Sequence, residues 1–244
     1  MGFNHVENVA DLVPLRRVLV AVYDKTNLRE FIAALASAAP VDCPLEIFST
    51  GGSYRLLADA FPESADEDAA GSACRHGFAP FFRLRTVSDY TRQPEMKGGL
   101  VKTMDWKIYL GLLAEPGDES HSADLTRTAS LTFDMVVGNF YPFEAAVREG
   151  MQDVEALRQR VDIGGPSMIR AAAKNFLRVA AVSSPSQYGP IAVSIKEAGG
   201  CTRLVERKRL AAAAFSLTAR FDAVVAERLS AIPDGALSKA YRVR

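Results

Sequence analysis

Cysteine, histidine and tryptophan are all scarce in this 244-residue chain, at three, three and one residues. Cys43, Cys74 and Cys201 are odd in number and far apart, which excludes a CxxC metal site and an even disulfide framework. They read as small, partly buried apolar side chains of a reduced protein. His5, His76 and His121 fall in segments read as loops or as an N-terminal arm, with no partner at metal-ligand spacing, so no metal site is expected. An excess of either charge is missing too. Lys plus Arg and Asp plus Glu each number 29, giving a formal net charge of +0 and no global field to draw nucleic acid or an anionic membrane. Any anion must therefore be held by a local site. No apolar run approaches the roughly 20 residues a membrane-spanning helix needs. The first residues carry Glu7 and Asp11 where a secretory signal would be apolar, so a cytoplasmic protein is expected. Neither a GxGxxG fingerprint nor a Walker A loop occurs, which leaves dinucleotide and ATP sites without support.

What the sequence does contain is a soluble core, with 48% hydrophobic residues and a mean hydropathy of +0.02. Residues 18–22 (VLVAV) form a short continuous apolar run of the kind that fills a strand covered on both faces. Leu28, Phe31, Ile32, Leu35 and Ala39 follow at helical spacing, with Thr26 or Asn27 placed to cap the start. Residues 45–48 give a second strand, followed by a Ser-Thr-Gly-Gly-Ser turn and a helix from Tyr54 to about Ala60. From Pro62 to Arg85 periodicity fails, and the acidic and small residues there read as a solvated excursion. Further strands are expected near 86–88, at 135–137 and at 179–182, with helices at 153–160 and 166–175 and a helical stretch over the last 45 residues, where Leu204, Leu210, Ala214, Phe215, Phe221 and Val224 are the expected buried positions. Arg203, Arg207, Lys208 and Arg209 form a basic cluster that reads as a solvated helix face. The fold class is α/β, a three-layer sandwich with a mostly parallel sheet plus C-terminal helices. It is expected to be a single domain over residues 1–244, with a core at about 16–183 and a helical extension at about 184–244.

Three expected strand ends lead into turns: Tyr23-Asp24-Lys25-Thr26, Ser49-Thr50-Gly51-Gly52-Ser53, and Gly138-Asn139-Phe140-Tyr141-Pro142-Phe143. Ligands in open α/β sheets bind beyond the carboxyl ends of strands, and the free amides of the next helix favour an anion there. A phosphate would suit the second turn, with Gly51 and Gly52 admitting close approach and Lys25 supplying a cation; an ordinary βα turn has the same composition. In the 162–175 stretch an acidic residue precedes two glycines and a helix ending in Lys174-Asn175. Asp162 and Lys174 would tune one another if they edged one pocket, and a cap with a helix-end cation is the plainer alternative.

These segments, with Val87-Ser88-Asp89-Tyr90-Thr91, Pro94-Glu95-Met96 and Val101-Lys102-Thr103, resemble in order the IMP cyclohydrolase domain of the bifunctional purine-biosynthesis enzyme. The resemblance implies a methylglyoxal-synthase-like domain that dehydrates 5-formamidoimidazole-4-carboxamide ribotide to IMP without metal or cofactor. A homodimer is the assembly it implies, with a small purine ribonucleotide as partner and neither nucleic acid nor membrane. In that family a transformylase domain follows; this chain ends at Arg244 and is expected to lack it. Carried over by position, the catalytic residues are Lys102, Tyr141, Asp162 and Lys174. The implied substrate-binding residues are Tyr23, Asp24, Lys25, Thr50, Gly51, Gly52, Ser53, Val101, Thr103, Gly138, Asn139 and Ile163. The family's pattern is broken at Leu100, where it has arginine, at Asp105-Trp106, where it has His-Pro, and at Tyr109-Leu110, where it has His-Gly. For Leu100 the candidate replacements are Lys97, Arg92, Arg75, Arg83 and Arg85. Trp106 suits either core packing or stacking on a base. A second reading of the scaffold is a non-catalytic purine-nucleotide sensor.

Overall fold

The structure of the chain is a computed structural model that describes residues 5–40, 44–65, 82–93, 102–141, 143–148, 150 and 153–242. Its first half runs β1 Leu12–Pro14, β2 Arg17–Val22, α1 Leu28–Ala38, β3 Leu45–Ser49, α2 Gly51–Ala60, α3 Pro62–Ala65, β4 Phe82–Thr86, α4 Val87–Thr91, α5 Trp106–Leu113 and α6 Glu119–Arg127. The second half continues with β5 Met135–Asn139, α7 Phe143–Arg148, α8 Val154–Gln159, α9 Gly164–Lys174, β6 Ala180–Val182, α10 Tyr188–Glu197, β7 Cys201–Arg203, α11 Leu204–Ser230 and α12 Asp234–Ala240.

Five strands make one parallel sheet in the order β4-β3-β2-β5-β6. Because side chains alternate across a strand, the unbroken apolar run of β2 feeds two cores. Val18, Val20 and Val22 pack with Phe31, Ile32, Ile47 and Ile191 on one face, and Leu19 packs with Phe133, Val136, Met168, Ile169 and Ala214 on the other. Helices α1 and α10 cover the first face, and α5, α9 and α11 the second. The outcome is a three-layer α/β sandwich. No helix of the described residues is long and apolar enough to cross a membrane.

The structure departs from the sequence expectations at several places. The strand expected near 86–88 is β4, ending at Thr86, and residues 87–91 form α4 with Thr86 as its cap. Phe82 and Leu84 are buried while Arg83 and Arg85 are not, so the polar alternation of an edge strand made this part of the excursion look solvated. Neither Thr26 nor Asn27 caps α1 by side chain; Asn27 takes a left-handed conformation there. Within the helical stretch expected after residue 184, α10 packs on one face of the sheet and α11 on the other, while α12 buries no residue. Phe215 is 38% exposed, one position off the buried stripe of Leu210, Ala214, Thr218 and Phe221. His121 lies in α6, with its ring Nδ1 accepting from the Glu115 amide. Glu115, Asp118 and His121 cluster, and Asp118 is the cap of α6, accepting the His121 amide.

The clearest correction concerns Arg207, placed by sequence on a solvated face and found 0% exposed. Its guanidinium donates to five backbone carbonyls, those of Ala10, Asp11, Phe176, Leu177 and Thr202. These belong to the N-terminal arm, the turn after α9, and β7. The same arm pairs antiparallel with β7 through β1, a two-stranded sheet too short to announce itself in sequence. Arg207→Met should lower the unfolding free energy by about 3 kcal/mol or more, because several buried carbonyls lose their donor. Arg207→Lys should recover only part, since an ammonium lacks the planar five-donor fork. Urea unfolding measures both; a Met variant within about 1 kcal/mol of wild type would contradict this assignment.

Candidate functional site

All five parallel strands present their carboxyl ends along one edge, and the expected site residues gather there. Between β2 and β5 the side chain of Asn139 acts as an extra piece of backbone. Its Oδ1 accepts from the amides of Tyr23 and Asp24 at 2.9 and 2.8 Å, and its Nδ2 donates to the Asp24 carbonyl at 3.0 Å. Asp24 in turn receives the Thr26 amide at 2.9 Å. Its carboxyl is held below the usual range by the Thr26 hydroxyl first and then by that amide. Lys25 donates to the Tyr23 carbonyl at 3.0 Å. The β2–α1 turn is thus fixed by the distant Asn139 side chain together with two local hydrogen bonds, and carries its lysine at a set position.

The β3–α2 turn meets that lysine. Gly51 sits at φ +46°, and a Cβ built on it would lie 2.8 Å from Lys102 Nζ. A Cβ on Gly52 would lie 3.4 Å from Lys25 Cε and 3.7 Å from its Nζ. Two ammonium groups therefore converge on the first turn of α2, whose leading amides have no intrahelical acceptor. The missing side chains at Gly51 and Gly52 keep that space open. Cations and amides together make a cradle for an anion. Ser53, expected among the ligand groups, is 2% exposed. Its hydroxyl is committed to the backbone of Val22, donating to the carbonyl at 3.1 Å and accepting the amide at 3.3 Å. Thr50 stands at the cap position of α2 without a side-chain cap bond.

Lys102 brings the start of α9 into the same assembly. The next residue, Thr103, is buried, and its Oγ1 lies 3.2 Å from where a Cβ on Gly164 would be. Asp162 accepts the Gly165 amide at 2.9 Å and so caps α9 in fact, although it lies ahead of the helix. Its other oxygen would be 2.9 Å from a Cβ on Gly165, which Phe140 approaches to 3.1 Å. Burial pushes the Asp162 carboxyl above the usual aspartate range, against the lowering effect of that amide. Phe140 leads to Tyr141, whose ring meets Tyr23 edge-on with centroids 4.9 Å apart. Tyr23, Asp24, Lys25, Asn139 and Tyr141 line an open cleft of about 1200 Å³. Ser183 and Ser184 after β6, Arg148 of α7, and Arg220 and Phe221 of α11 line it as well.

Some expected residues stand elsewhere. Lys174 is exposed at the last position of α9. Eleven helical residues at about 1.5 Å each put it roughly 16 Å from the start of the helix, so it forms no pair with Asp162 within the chain. It serves as the cation at a helix C-terminus. Gly138 is buried with Met168 Cε 3.0 Å from its Cβ position, so its lack of a side chain lets α9 close on β5. Ile163 is 55% exposed beside Asp162. Val101, Leu100, Lys97, Arg75 and the 94–96 segment lie outside the described residues. Asp105 caps α5 by accepting the Lys107 amide at 2.8 Å, and Trp106 is 54% exposed, so it is not core.

Arg160 was not anticipated. It donates from Nε to the Tyr141 hydroxyl at 3.1 Å, two residues ahead of Asp162. The Ser183-Ser184 segment was also missed, although it follows a strand end as the anticipated turns do.

Residues 172–243 match the family described as AICARFT/IMPCHase bienzyme. The chain is 38% identical over 215 residues to the bifunctional purine biosynthesis protein PurH of Mesorhizobium japonicum, covering 88% of this chain and 35% of that protein. It is 39% identical over 213 residues to the PurH of Cutibacterium acnes, covering 87% and 36%. The chain thus spans little more than a third of these curated relatives. Among solved structures, the crystal structure of ForH superimposes with a TM-score of 0.64 at 28% identity, covering 88% of this chain and 98% of that one.

Lys25→Ala and Lys102→Ala should each weaken inorganic phosphate binding by tenfold or more, about 1.4 kcal/mol for a charge-assisted contact. Gly51→Ala should weaken it as well, by strain at positive φ and by displacing the Lys102 ammonium. Calorimetric titration with phosphate measures all three. Unchanged affinity in both lysine variants would move the anion site elsewhere.

Proposed function

We propose that this relative of the AICARFT/IMPCHase bienzyme family performs the cyclohydrolase half of that pair, closing 5-formamidoimidazole-4-carboxamide ribotide to IMP in purine biosynthesis. One observation carries the reading: the residues form a closed circuit of contacts around the carboxyl edge of the sheet. Gly51 meets Lys102, Thr103 meets Gly164, Asp162 bonds Gly165, Phe140 packs on Gly165, Tyr141 meets Tyr23, and Lys25 returns to Gly52. A ligand held by its phosphate at the two lysines then has an acid–base group and a hydroxyl donor at its other end.

The reaction needs little else. The carboxamide nitrogen attacks the formyl carbon and gives up one proton. The formyl oxygen takes the developing negative charge. It leaves as water after the formamido nitrogen has given up the second proton. Asp162 is the base for the first transfer, and its desolvation strengthens it for that task by raising its proton affinity. The Tyr141 hydroxyl donates to the formyl oxygen as charge builds, an oxyanion-hole role. Lys25 and Lys102 hold the phosphate, which spends remote binding on orientation of the reacting ends. Lys174 has no part in these steps. The sensor alternative draws on the departures at Leu100, Asp105-Trp106 and Tyr109-Leu110, and the similarity to the bifunctional purine biosynthesis proteins favours the enzyme over it.

Mixing the purified chain with the formamido ribotide and following the absorbance change of ring closure tests the reading; no rate above the uncatalysed background would overturn it. Asp162→Asn keeps an acceptor for the Gly165 amide, so the fold should survive while kcat falls about a hundredfold. The active form of Asp162 is the carboxylate, so kcat should rise with pH through a midpoint above the ordinary aspartate value of 3.8. That limb should vanish in Asp162→Asn. An acid limb of unchanged midpoint in the variant would assign the base to another group.

A further inference from the structure

We infer that Arg160 is a positioning residue that turns the Tyr141 hydroxyl into a one-way hydrogen-bond donor facing the substrate. The inference rests on the reading of Tyr141 given above. A phenol has one proton to give and lone pairs to receive with, so its role in a site is set by its neighbours. A guanidinium has no acceptor at all. With Arg160 Nε donating to the Tyr141 oxygen at 3.1 Å, the lone pair is occupied and the phenolic proton is left to point elsewhere. Tyr141 lines the cleft, so an acceptor in the cleft is the natural recipient. The formyl oxygen of the substrate is such an acceptor.

The arginine is itself held. Its Nη1 donates to the Ala156 carbonyl at 3.0 Å, and its guanidinium carbon stands 5.5 Å from the centroid of the Tyr141 ring. It follows directly on α8, which is anchored by buried Leu157 and capped by Asp153. Glu155, the acidic residue of that helix, is engaged by Arg158, Gln159 and Tyr241. Among the described residues no carboxylate lies within ion-pair distance of Arg160. Its charge therefore acts on the phenol. A positive charge on one side of a hydroxyl makes it a better donor on the other, most of all when the acceptor is gaining negative charge. The stabilisation is thus greater in the transition state than in the bound substrate, and its loss belongs in kcat.

The test is a double-mutant cycle of Arg160→Gln and Tyr141→Phe, with Arg160→Lys as the conservative variant, read by ring-closure kinetics. Arg160→Gln should lower kcat about tenfold with KM changed less than threefold, and Arg160→Lys should recover part of the loss. In the Tyr141→Phe background Arg160→Gln should cost less than twofold, because the hydroxyl it acts through is gone. Penalties that multiply in the double variant, or a loss confined to KM, would overturn the inference. A second measurement does not need turnover. With tyrosine labelled at Cζ, the Tyr141 carbon resonance, assigned from its disappearance in Tyr141→Phe, should move in Arg160→Gln and partly return in Arg160→Lys. An unmoved resonance would overturn the Arg160 role even in an active enzyme. Absence of turnover in wild type together with a moved resonance would overturn the cyclohydrolase reading and leave the contact standing.

Discussion

The pairing of β2 with β5, carried past the sheet by the side chain of Asn139, is the interaction on which the site depends. Regular parallel pairing ends at Val22 and Asn139. Beyond it the Tyr23 amide reaches the Asn139 carbonyl only at 3.3 Å and the Asp24 amide lies past the last strand pair; Asn139 Oδ1 accepts from both, and its Nδ2 donates in return. Lys25 is thereby placed against Gly52, and Tyr23 against Tyr141. Without that clamp the lysine and the tyrosine would hang from a loop with few contacts of its own.

The two edges of the sheet are treated differently. At the amino edge, buried Asp134 accepts the amides of Arg16 and Arg17, and Arg178 lies 3.7 Å from it while donating to the carbonyls of Phe133 and Gly111. Burial raises the Asp134 carboxyl and the amides of Arg17 and Arg16 oppose that, so the group is bound into structure. Arg207 does the same for the arm, β7 and the turn after α9. These charges are consumed by backbone groups. At the carboxyl edge, by contrast, Lys25, Asp24 and Tyr141 line an open cleft, and Lys102 and Asp162 stand at the helix starts of α2 and α9. A chain with no net charge can therefore present a local positive site, because charge is allocated by position rather than by amount.

Much of this was legible from residues alone. The apolar run of β2, the helical spacing of α1 and the Gly-Gly turn after β3 state the α/β alternation, because buried parallel strands and amphipathic helices have different periods. The cradle residues Lys25, Gly51 and Gly52 were readable for the same reason: a strand end followed by a helix start puts free amides at a known place. Strand β4 was not readable, since an edge strand needs only one apolar face. Arg207 was not readable either, because the sequence shows a cation and not the carbonyls of distant segments that absorb it.

The chain's sequence by itself determined the buried strands β2, β3 and β5, the helices that follow them and the turns that hold glycine and lysine, since these follow from local sterics and periodicity. Only the tertiary structure decided which charges would meet. It put Lys102 over Gly51 from 51 residues further along the sequence, separated Lys174 from Asp162 by the length of α9, and set Arg160 against Tyr141. Such pairings depend on the packing of helices across the sheet, and a one-dimensional pattern carries no information about distance between elements that are far apart along the chain.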